Sequence, residues 1–285
     1  MTNLLEPVLV TGANGGIGRA VLRLAQDRGI DVVPCTRNGL PVDGVPTTAC
    51  DVTSDDALAS TLETHKPRIV IHLAGMTSQG DPGELHAVNA IGTQRLASLA
   101  ARHGAHRIIF ASSAAVYGDK GSAPYAESSA TPAPSPYGAS KLAAENALAR
   151  ATSALGLESV AARIFNVYGP AQPNSLISRI LTSSVDSPAV LRGGAVFVRD
   201  YVHVDDVAAA LLAAAETELP EAFTVINVDT GHPTSNDDLE RLFAGREDVH
   251  ITTGEGPPSY SVADNTKMAT LLGIAPRSLA EALSV

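Results

Sequence analysis

The stretch Thr11-Gly12-Ala13-Asn14-Gly15-Gly16-Ile17-Gly18 decides the fold. It follows the apolar run at residues 8–10 and opens a helical pattern over residues 17–28, which Gly29 closes. Glycines between a buried strand and a helix let the backbone approach a phosphate closely, because no side chains stand in the way. The helix N-terminus adds unpaired N–H groups and the positive end of the helix dipole. The loop therefore predicts a dinucleotide-binding site.

Strand and helix patterns alternate along most of the chain. Apolar, β-branched runs predict strands at residues 31–35, 69–73, 107–111, 159–164 and 223–228, and helical periodicity covers residues 58–65, 84–103, 137–154, 205–216 and 236–243. This alternation predicts an α/β fold with a doubly wound parallel sheet, which binds ligands beyond the carboxyl ends of its strands. Pro34 should weaken the second strand, and Asp205 is expected to cap its helix. The Pro-, Gly- and Ser-rich residues 168–173 and 183–194 predict loops around a short helix.

The composition argues against several classes of protein. The formal charge of −10 is unfavourable for a nucleic-acid surface. Residues 1–6 lack the features of a signal peptide, and the longest apolar run, residues 207–215, is too short to span a bilayer. The eight histidines show no paired ligand spacing, so we expect no metal site and interpret His72 as a hydrogen-bonded strand residue. We expect a cytoplasmic protein with a small-molecule substrate and neither a membrane nor a nucleic-acid partner.

The end of the second predicted strand bears on the choice of cofactor. A site that prefers NAD usually places Asp or Glu there to accept hydrogen bonds from the ribose, whereas this chain has Thr36 and Arg37. A hydroxyl and a guanidinium favour a 2′-phosphate, so NADP is slightly preferred over NAD. Asp51 lies where its carboxylate could accept a hydrogen bond from the adenine amino group.

The segment Tyr137-Gly138-Ala139-Ser140-Lys141 carries the chemistry. If Tyr137 opens a helix, Lys141 lies one turn later on the same face. A free phenol has a pKa of about 10, and a neighbouring cation lowers it by favouring the phenolate. A lowering of about 3 units requires about 4 kcal/mol of differential interaction. Such a pair could move protons at a carbinol while a cofactor moves the hydride.

These motifs, in this order, resemble the extended short-chain dehydrogenase/reductases, and in particular the NAD-dependent epimerase/dehydratase family, which acts mostly on nucleotide sugars. The glycine loop carries the resemblance together with residues 71–75, 89–93, 110–118, 137–141, 163–170 and 199–206. It implies an NAD(P)-binding Rossmann domain at residues 1–165, to which residues 195–228 return. A small C-terminal substrate-binding lobe would comprise residues 166–194 and 229–285.

The resemblance also implies the site residues. Tyr137 would exchange a proton with a sugar hydroxyl, Ser113 would hydrogen-bond the same oxygen, and Lys141 would lower the Tyr137 pKa and hold the nicotinamide ribose. The expected cofactor-binding residues are Gly12, Asn14, Gly15, Gly16, Ile17, Gly18, Thr36, Arg37, Asp51, Val52, Leu73, Ala74, Gly75, Asn89, Tyr137, Lys141 and Phe165. The expected substrate-binding residues are Ser112, Ser113, Asn166 and Arg199.

Residues after the implied catalytic serine narrow the reaction. The family's 4,6-dehydratases need acid–base groups there, and this chain has Ala114 and Ala115. The reactions that remain require only hydride transfer and one proton relay. An NAD(P)-dependent nucleotide-sugar epimerase fits this requirement. The alternative is an NADPH-dependent ketoreductase or dehydrogenase of a nucleotide-linked keto sugar or related alcohol. An interpretation from another class is a non-catalytic NADP-binding regulator.

One departure from the family concerns the diphosphate of a nucleotide sugar. The positions where the family often has an Arg and then an Asp fall near Gly254 and Pro257. Either Arg192 or Arg277 compensates, or the substrate is not a standard nucleotide sugar. By the same resemblance, the apolar faces of residues 84–103 and of the helix from Tyr137 imply a four-helix homodimer interface.

Overall fold

The computed structural model describes residues 7–77 and 79–283. Its strands are Val8–Thr11 (β1), Val32–Thr36 (β2), Thr48–Ala49 (β3), Ile69–His72 (β4), Arg107–Ser113 (β5), Glu158–Ile164 (β6), Asn166–Tyr168 (β7), Ala189–Arg192 (β8), Phe197–Arg199 (β9), Tyr201–His203 (β10), Phe223–Val228 (β11), Thr234–Ser235 (β12), Ile251–Gly254 (β13) and Ser259–Ser261 (β14). Its α-helices are Gly16–Arg28 (α1), Asp55–His65 (α2), Pro82–Leu85 (α3), Gly92–Arg102 (α4), Pro136–Leu155 (α5), Leu176–Leu181 (α6), Val204–Glu216 (α7), Asn236–Phe243 (α8), Thr266–Leu272 (α9) and Leu279–Leu283 (α10). Residues 1–6, where the sequence predicts no signal peptide, lie outside this description.

A seven-stranded sheet, counted over the described residues, organises the molecule in the order β11-β6-β5-β4-β1-β2-β3. All its neighbouring strands are parallel. The doubly wound parallel fold expected from the sequence is therefore confirmed. The strand order reverses between β1 and β4, where the carboxyl ends of the strands open a crevice for ligands.

Helices cover both faces of this sheet because its central strands are apolar on both sides. Val8 and Val10 pack with α1 and α7, whereas Leu9 between them packs with α2, α4 and α5. Alternate side chains of a strand point to opposite faces, so a continuous apolar run supplies two cores at once. Met268 of α9 also belongs to the first core. Helix α9 therefore packs against the main sheet, although its residues fall within the expected lobe.

A third core lies in the C-terminal part of the chain. Buried residues of β7, α6, β8, β10, α8 and α10 pack together in it. Small sheets brace this region: β8 pairs with β13, β7 with β10, and β9 with both β12 and β14. The expectation of a loop throughout residues 183–194 is wrong, because β8 pairs with a strand about 60 residues later in the chain.

Three local predictions need correction. The predicted helix at residues 84–103 consists of α3, a π-helical turn at His86–Ile91, and α4. The N-cap of α7 is His203 rather than Asp205, because the ring Nδ1 of His203 accepts a hydrogen bond from Asp205 N at 3.2 Å. Pro34 pairs with Val10 inside the sheet. The missing N–H of Pro34 leaves no partner in the sheet without a donor. The carbonyl oxygen of Thr36 accepts a hydrogen bond from Cys50 N just after β3, and an N–H two residues earlier in the strand would point to the same side. Because β3 does not extend back to Pro34, that side offers no acceptor there.

No helix among residues 7–77 and 79–283 is long and apolar enough to cross a membrane.

Candidate active site

The glycine loop forms a cradle at the start of α1. A β-carbon built on Gly12, whose φ is +69°, would lie 2.6 Å from Ala74 N, so only glycine allows this approach of β1 to the chain after β4. Gly15 caps α1 without a side-chain hydrogen bond, and the first turn contains no acidic residue. The first-turn N–H groups are thus available to an anion, and the cradle fits the phosphates of a dinucleotide.

Two cavities share the residues Gly12, Gly15, Leu73 and Gly75 and together follow the crevice. The first, of about 400 Å³, is also lined by Asn14, Arg37, Asn38, Cys50, Asp51, Val52, Ala74 and Val88. The second, of about 300 Å³, is also lined by Gly16, Ile17, Gly18, Ser112, Ser113, Tyr137, Lys141, Phe165 and Gln172, among others. Most of the expected cofactor residues therefore lie along one continuous path. Asn38, Cys50, Val88 and Gln172 were not predicted.

The adenosine end of this path contains Asp51 and Arg37. Asp51 Oδ1 accepts hydrogen bonds from Thr53 N and Thr53 Oγ1 at 2.9 and 2.7 Å, and these bonds hold the Asp51 pKa below its usual range, with a smaller contribution from Arg37. Arg37 is exposed, but Thr36 is buried, and its hydroxyl hydrogen-bonds Thr47 Oγ1 at 2.9 Å. The prediction that the Thr36 hydroxyl faces the cofactor is therefore wrong.

Ser113 and Tyr137 meet where β5 ends and α5 begins. Ser113 is the last residue of β5, and Ser135 caps α5 by accepting a hydrogen bond from Gly138 N at 3.0 Å. Burial raises the pKa of Tyr137, and a hydrogen bond with Ser113 offsets part of this increase. Burial thus outweighs the interactions within the protein that favour the phenolate, and the lowering of the Tyr137 pKa expected from Lys141 together with a bound nicotinamide stays a prediction.

Lys141 is buried beneath these two hydroxyls. Its Nζ donates to the carbonyl oxygen of Ala111 at 2.8 Å and lies 5.8 Å from the centre of the Tyr137 ring. Burial lowers the Lys141 pKa to about 8, and Glu145 works in the opposite direction. The ammonium is thus held at a fixed place in the second cavity, one helical turn from Tyr137.

A buried polar network supports this site from behind. Glu145 and Arg163 form a two-point ion pair, with Arg163 Nη2 at 2.7 Å from Glu145 Oε2 and Arg163 Nε at 3.0 Å from Oε1. Ser112 Oγ donates to Glu145, so the hydroxyl expected to bind substrate is engaged inside the protein. Arg163 Nη1 donates to Tyr117 Oη, which donates to Asn227 Oδ1 at 2.7 Å. The network joins β5, α5, β6 and β11, and the sequence patterns did not predict it.

Two further predicted residues have structural roles. His72 hydrogen-bonds Thr11 Oγ1 and Thr93 Oγ1 at 2.8 and 3.0 Å, and burial lowers its pKa to about 3, which confirms the interpretation as a hydrogen-bonded strand residue. Asn89, expected at the cofactor, uses its carboxamide to bond the backbone of Met76 and the hydroxyl of Ser140. It holds the chain after β4 against α5.

The expected substrate residues Asn166 and Arg199 line two adjoining cavities. One, of about 380 Å³, begins at Ser113, and the other, of about 300 Å³, extends to α6. Arg199 lies 3.9 Å from the centre of the Phe197 ring and donates to Ser259 Oγ at 2.7 Å. Asn166 Nδ2 donates to the carbonyl oxygen of Asp200 at 2.8 Å. Both side chains are therefore held by neighbours at the cavity wall.

A family model for the NAD dependent epimerase/dehydratase family matches residues 8–228. The chain belongs to this family. Its relatives include the UDP-glucose 4-epimerase of Azospirillum brasilense, which is 31% identical over 95% of this chain and 87% of that protein. The UDP-glucose 4-epimerase of Mycolicibacterium smegmatis is also 31% identical, over 97% of this chain and 96% of its own length.

Several solved structures superpose closely on this fold. MoeE5 in complex with UDP-glucose and NAD is 30% identical, with a TM-score of 0.84 over 98% of this chain and 96% of that one. The UDP-glucose 4-epimerase of Thermotoga maritima with UDP-glucose is 27% identical, with a TM-score of 0.86 over 97% of this chain and 96% of its own. As a member of the epimerase/dehydratase family, the protein is an enzyme, and its expected recognition as an extended short-chain dehydrogenase/reductase is confirmed.

The two arginines that could replace the arginine expected near Gly254 lie in different surroundings. Arg277 is engaged elsewhere, because it forms an ion pair with Asp206 at 3.1 Å. Arg192 pairs with Gly254 across β8 and β13, and its Nη1 would lie 3.7 Å from a β-carbon built on Gly254. Of the two arginines considered as replacements for the family arginine, only Arg192 lies beside that position.

Proposed function

We propose that the protein is a nucleotide-sugar 4-epimerase that takes a UDP-hexose such as UDP-glucose and uses NAD. The observation that carries this proposal is the single cavity in which Ser113, Tyr137 and Lys141 meet the glycine cradle. Ala114 and Ala115, which follow Ser113, cannot move protons, so the site supports hydride transfer with one proton relay and not a dehydration. The UDP-glucose 4-epimerases among the relatives favour the same reaction.

Each residue of the trio has a role that follows from its position. Tyr137 exchanges a proton with the hydroxyl at C4 of the sugar, and Ser113 hydrogen-bonds the same oxygen and steadies its charge. Lys141 binds the nicotinamide ribose and keeps a positive charge near the phenol. When bound, NAD supplies a reversible hydride acceptor and a positive charge that favours the Tyr137 phenolate.

The nucleotide half of the substrate would lie in the cavity between Asn166 and α6. Among the described residues that line this cavity, Arg179 and Arg199 are cationic, and either can form charge-assisted hydrogen bonds with a diphosphate. Arg192 would supply a further charge near Gly254. We expect weaker binding than a site with the family arginine would give, because losing one charge-assisted contact costs about 1.5–3 kcal/mol.

Cofactor choice separates the proposed epimerase from a ketoreductase. The solved relatives with NAD bound support NAD. The expected preference for NADP now rests on Arg37 alone, because the Thr36 hydroxyl is turned toward Thr47. Mass spectrometry of small molecules released from the purified protein tests this point. Retained NAD supports an epimerase, whereas an empty protein that binds NADPH much better than NADH supports a ketoreductase.

The reaction itself is tested by incubating the protein with UDP-glucose and following the formation of UDP-galactose by NMR. Tyr137→Phe should lower kcat by about 10²–10⁴-fold, the usual contribution of a positioned acid or base, without loss of cofactor binding. Tyr260→Phe is the matched control, because Tyr260 lines none of the cavities described above. An unreactive wild-type protein that holds NAD, tested against a panel of UDP- and dTDP-sugars, would contradict the proposal.

Assembly and location remain predictions. A homodimer through α4 and α5 is proposed on the family resemblance, and sedimentation that finds only monomer at micromolar concentration would contradict it. The cytoplasmic location is likewise an expectation from sequence.

A further inference from the structure

A short segment after β7, residues 169–173, crosses the start of α1. We call it the strap. A β-carbon built on Gly16 would overlap with the carbonyl oxygen of Ala171 and with Nε2 of Gln172, and it would lie 2.9 Å from Gln172 Cδ. The strap therefore rests directly on the glycine cradle, with no room for a side chain between them.

The backbone conformation of Gly16 does not itself require a glycine. Its φ is not in the left-handed region, unlike that of Gly12. A glycine in a helix is also less favourable than alanine, because it loses more conformational freedom on folding. The close approach of the strap therefore excludes a side chain at this position, in addition to the approach of a phosphate expected at the glycine loop.

The strap is anchored at both ends. At its start, Gly169 has a φ of +115°, and a β-carbon there would lie 2.7 Å from Nε2 of His203, the N-cap of α7. At its end, Ser175 N donates to Gln172 O at 3.1 Å, and Ser175 caps α6. Between them, Ala171 adopts a φ of +58°, a conformation that a residue with a β-carbon keeps only when its surroundings enforce it.

Gln172 is the strap residue that lines the cavity containing Ser113, Tyr137 and Lys141. Its carboxamide is neutral and offers both a donor and an acceptor. Because its Nε2 lies against Gly16, the donor stands beside the N–H groups that form the phosphate cradle. A dinucleotide in the crevice would therefore be enclosed between the cradle and this side chain.

We propose that the strap retains the cofactor between the two halves of the reaction, with Gln172 donating a hydrogen bond to the phosphate or ribose oxygens. This inference rests on the proposed epimerase function. An epimerase removes a hydride from C4 and a proton from the hydroxyl on C4, and it then returns the hydride to the other face of C4 and the proton to the oxygen. If the reduced cofactor left in between, a keto sugar would be stranded. A ketoreductase has the opposite need, because it exchanges its cofactor at each turnover.

The test is the rate at which NADH leaves the protein, measured by stopped-flow fluorescence after mixing the NADH complex with excess NAD. Gln172→Ala should release NADH about tenfold faster or more, the effect of losing one hydrogen bond to a charged group. Gln172→Glu should release it faster still, because a carboxylate repels the phosphates. Pro173→Ala is the control, since Pro173 is an exposed strap residue outside the cavity and should leave the rate unchanged. Equal rates in all four proteins would overturn the inference.

A second readout separates the strap from the reaction. After incubation with UDP-glucose and ultrafiltration, the Gln172 variants should show NADH in the filtrate, while the wild type and Pro173→Ala keep it. Faster NADH release in the variants, together with no epimerisation by the wild type, would support the strap and overturn the proposed function. A wild-type protein that binds neither NADH nor NADPH would overturn both.

Discussion

The carboxylate of Asp119 lies 3.7 Å from the guanidinium of Arg199, and both side chains line the cavity that begins at Ser113. Ser259 Oγ links the two, because it accepts a hydrogen bond from Arg199 and donates one to Asp119 Oδ2 at 2.6 Å. The cation that we expect to meet a diphosphate is therefore already paired with a negative charge of the protein.

Asp119→Asn should lower the KM for UDP-glucose by about two- to fivefold, because Arg199 loses a competing partner and the diphosphate loses a repelling charge. The expected effect is modest, since the Asp119 side chain is 53% exposed and exposed ion pairs contribute only about 0.2–1 kcal/mol. Steady-state kinetics measure it. Asp248→Asn is the matched control, because it removes the same charge from an ion pair with Arg246 outside the cavities. A KM that rises in Asp119→Asn would show that Asp119 helps binding.

Asp200 and Asp229 form a fully buried carboxyl pair between β9, β11 and β14. Asp200 Oδ1 accepts from Thr230 N and Thr230 Oγ1, and Asp229 Oδ2 accepts from Ala263 N. The remaining oxygens, Asp200 Oδ2 and Asp229 Oδ1, are buried without a well-aligned hydrogen-bond partner among the described residues, although the nearby backbone N–H of Gly231 lowers the pKa of both carboxyls. A proton shared between the two carboxyls would give both of these oxygens a hydrogen bond. Burial and the neighbouring Asp200 charge raise the pKa of Asp229 to about 8.

The pair predicts that stability falls as the pH rises. The Asp229 pKa is higher in the folded than in the unfolded chain, so the folded state holds an extra proton between the ordinary carboxyl pKa and about 8. The contribution of Asp229 to the free energy of unfolding is complete below its pKa in the unfolded chain, and it is lost as the pH rises through its pKa in the folded chain. Asp229→Asn, whose amide donates permanently to Asp200, should flatten this loss in urea unfolding between pH 5 and 9. If the free energy of unfolding of the variant falls with pH as steeply as that of the wild type, the shared proton is ruled out.

The buried Glu145–Arg163 pair should matter more for stability than any exposed pair. Arg163→Met leaves the Glu145 carboxylate buried without its cation, which typically costs about 3–5 kcal/mol. The double variant Arg163→Met, Glu145→Gln should recover part of that loss, because the uncompensated charge is gone. Urea unfolding measures both, with Arg246→Met as a partly exposed control expected to change stability little. Equal stability of the single and double variants would contradict the explanation.

Arg37 should discriminate between the two cofactors. If its guanidinium binds a 2′-phosphate, Arg37→Ala raises the Kd for NADPH by about 10–100-fold, the effect of one lost charge-assisted contact, and changes the Kd for NADH much less. Fluorescence titration with both cofactors measures this. Arg28→Ala removes a cation from the far end of α1 and serves as the control. Equal changes for NADPH and NADH would remove the remaining support for NADP.

The features that sequence predicted share a local cause. Central strands such as β1 and β4 are runs of β-branched and aliphatic residues, and the helices between them have ordinary periodicity. The Ser113, Tyr137 and Lys141 trio was found because each residue belongs to a short motif in a fixed order. The missed elements lack such signals. β12 and β14 are short and polar, and they form only because β9 lies between them.

The wrong site predictions depended on long-range contacts. Thr36 was expected to face the cofactor, but its hydroxyl turns toward Thr47 in the loop before β3. Arg277 was expected as a candidate for the diphosphate, but it is paired with Asp206, 71 residues earlier in the chain. Gln172 belongs to none of the motifs found in the sequence, and its place at the cofactor crevice is evident only from its contact with Gly16 and from the cavity lining.

The β14 segment has a consequence for the synthesis of the protein. It pairs with β9, and Ser259 holds both Arg199 and Asp119, while Tyr125 N donates to the carbonyl oxygen of Val262. The cofactor crevice, by contrast, is lined by residues no later in the chain than Gln172. On the ribosome every residue that lines the crevice is therefore synthesised before the residues that complete the wall of the substrate cavity. The pairing of β14 with β9 and the hydrogen bond between Tyr125 and Val262 thus wait for a part of the chain made long after Gln172.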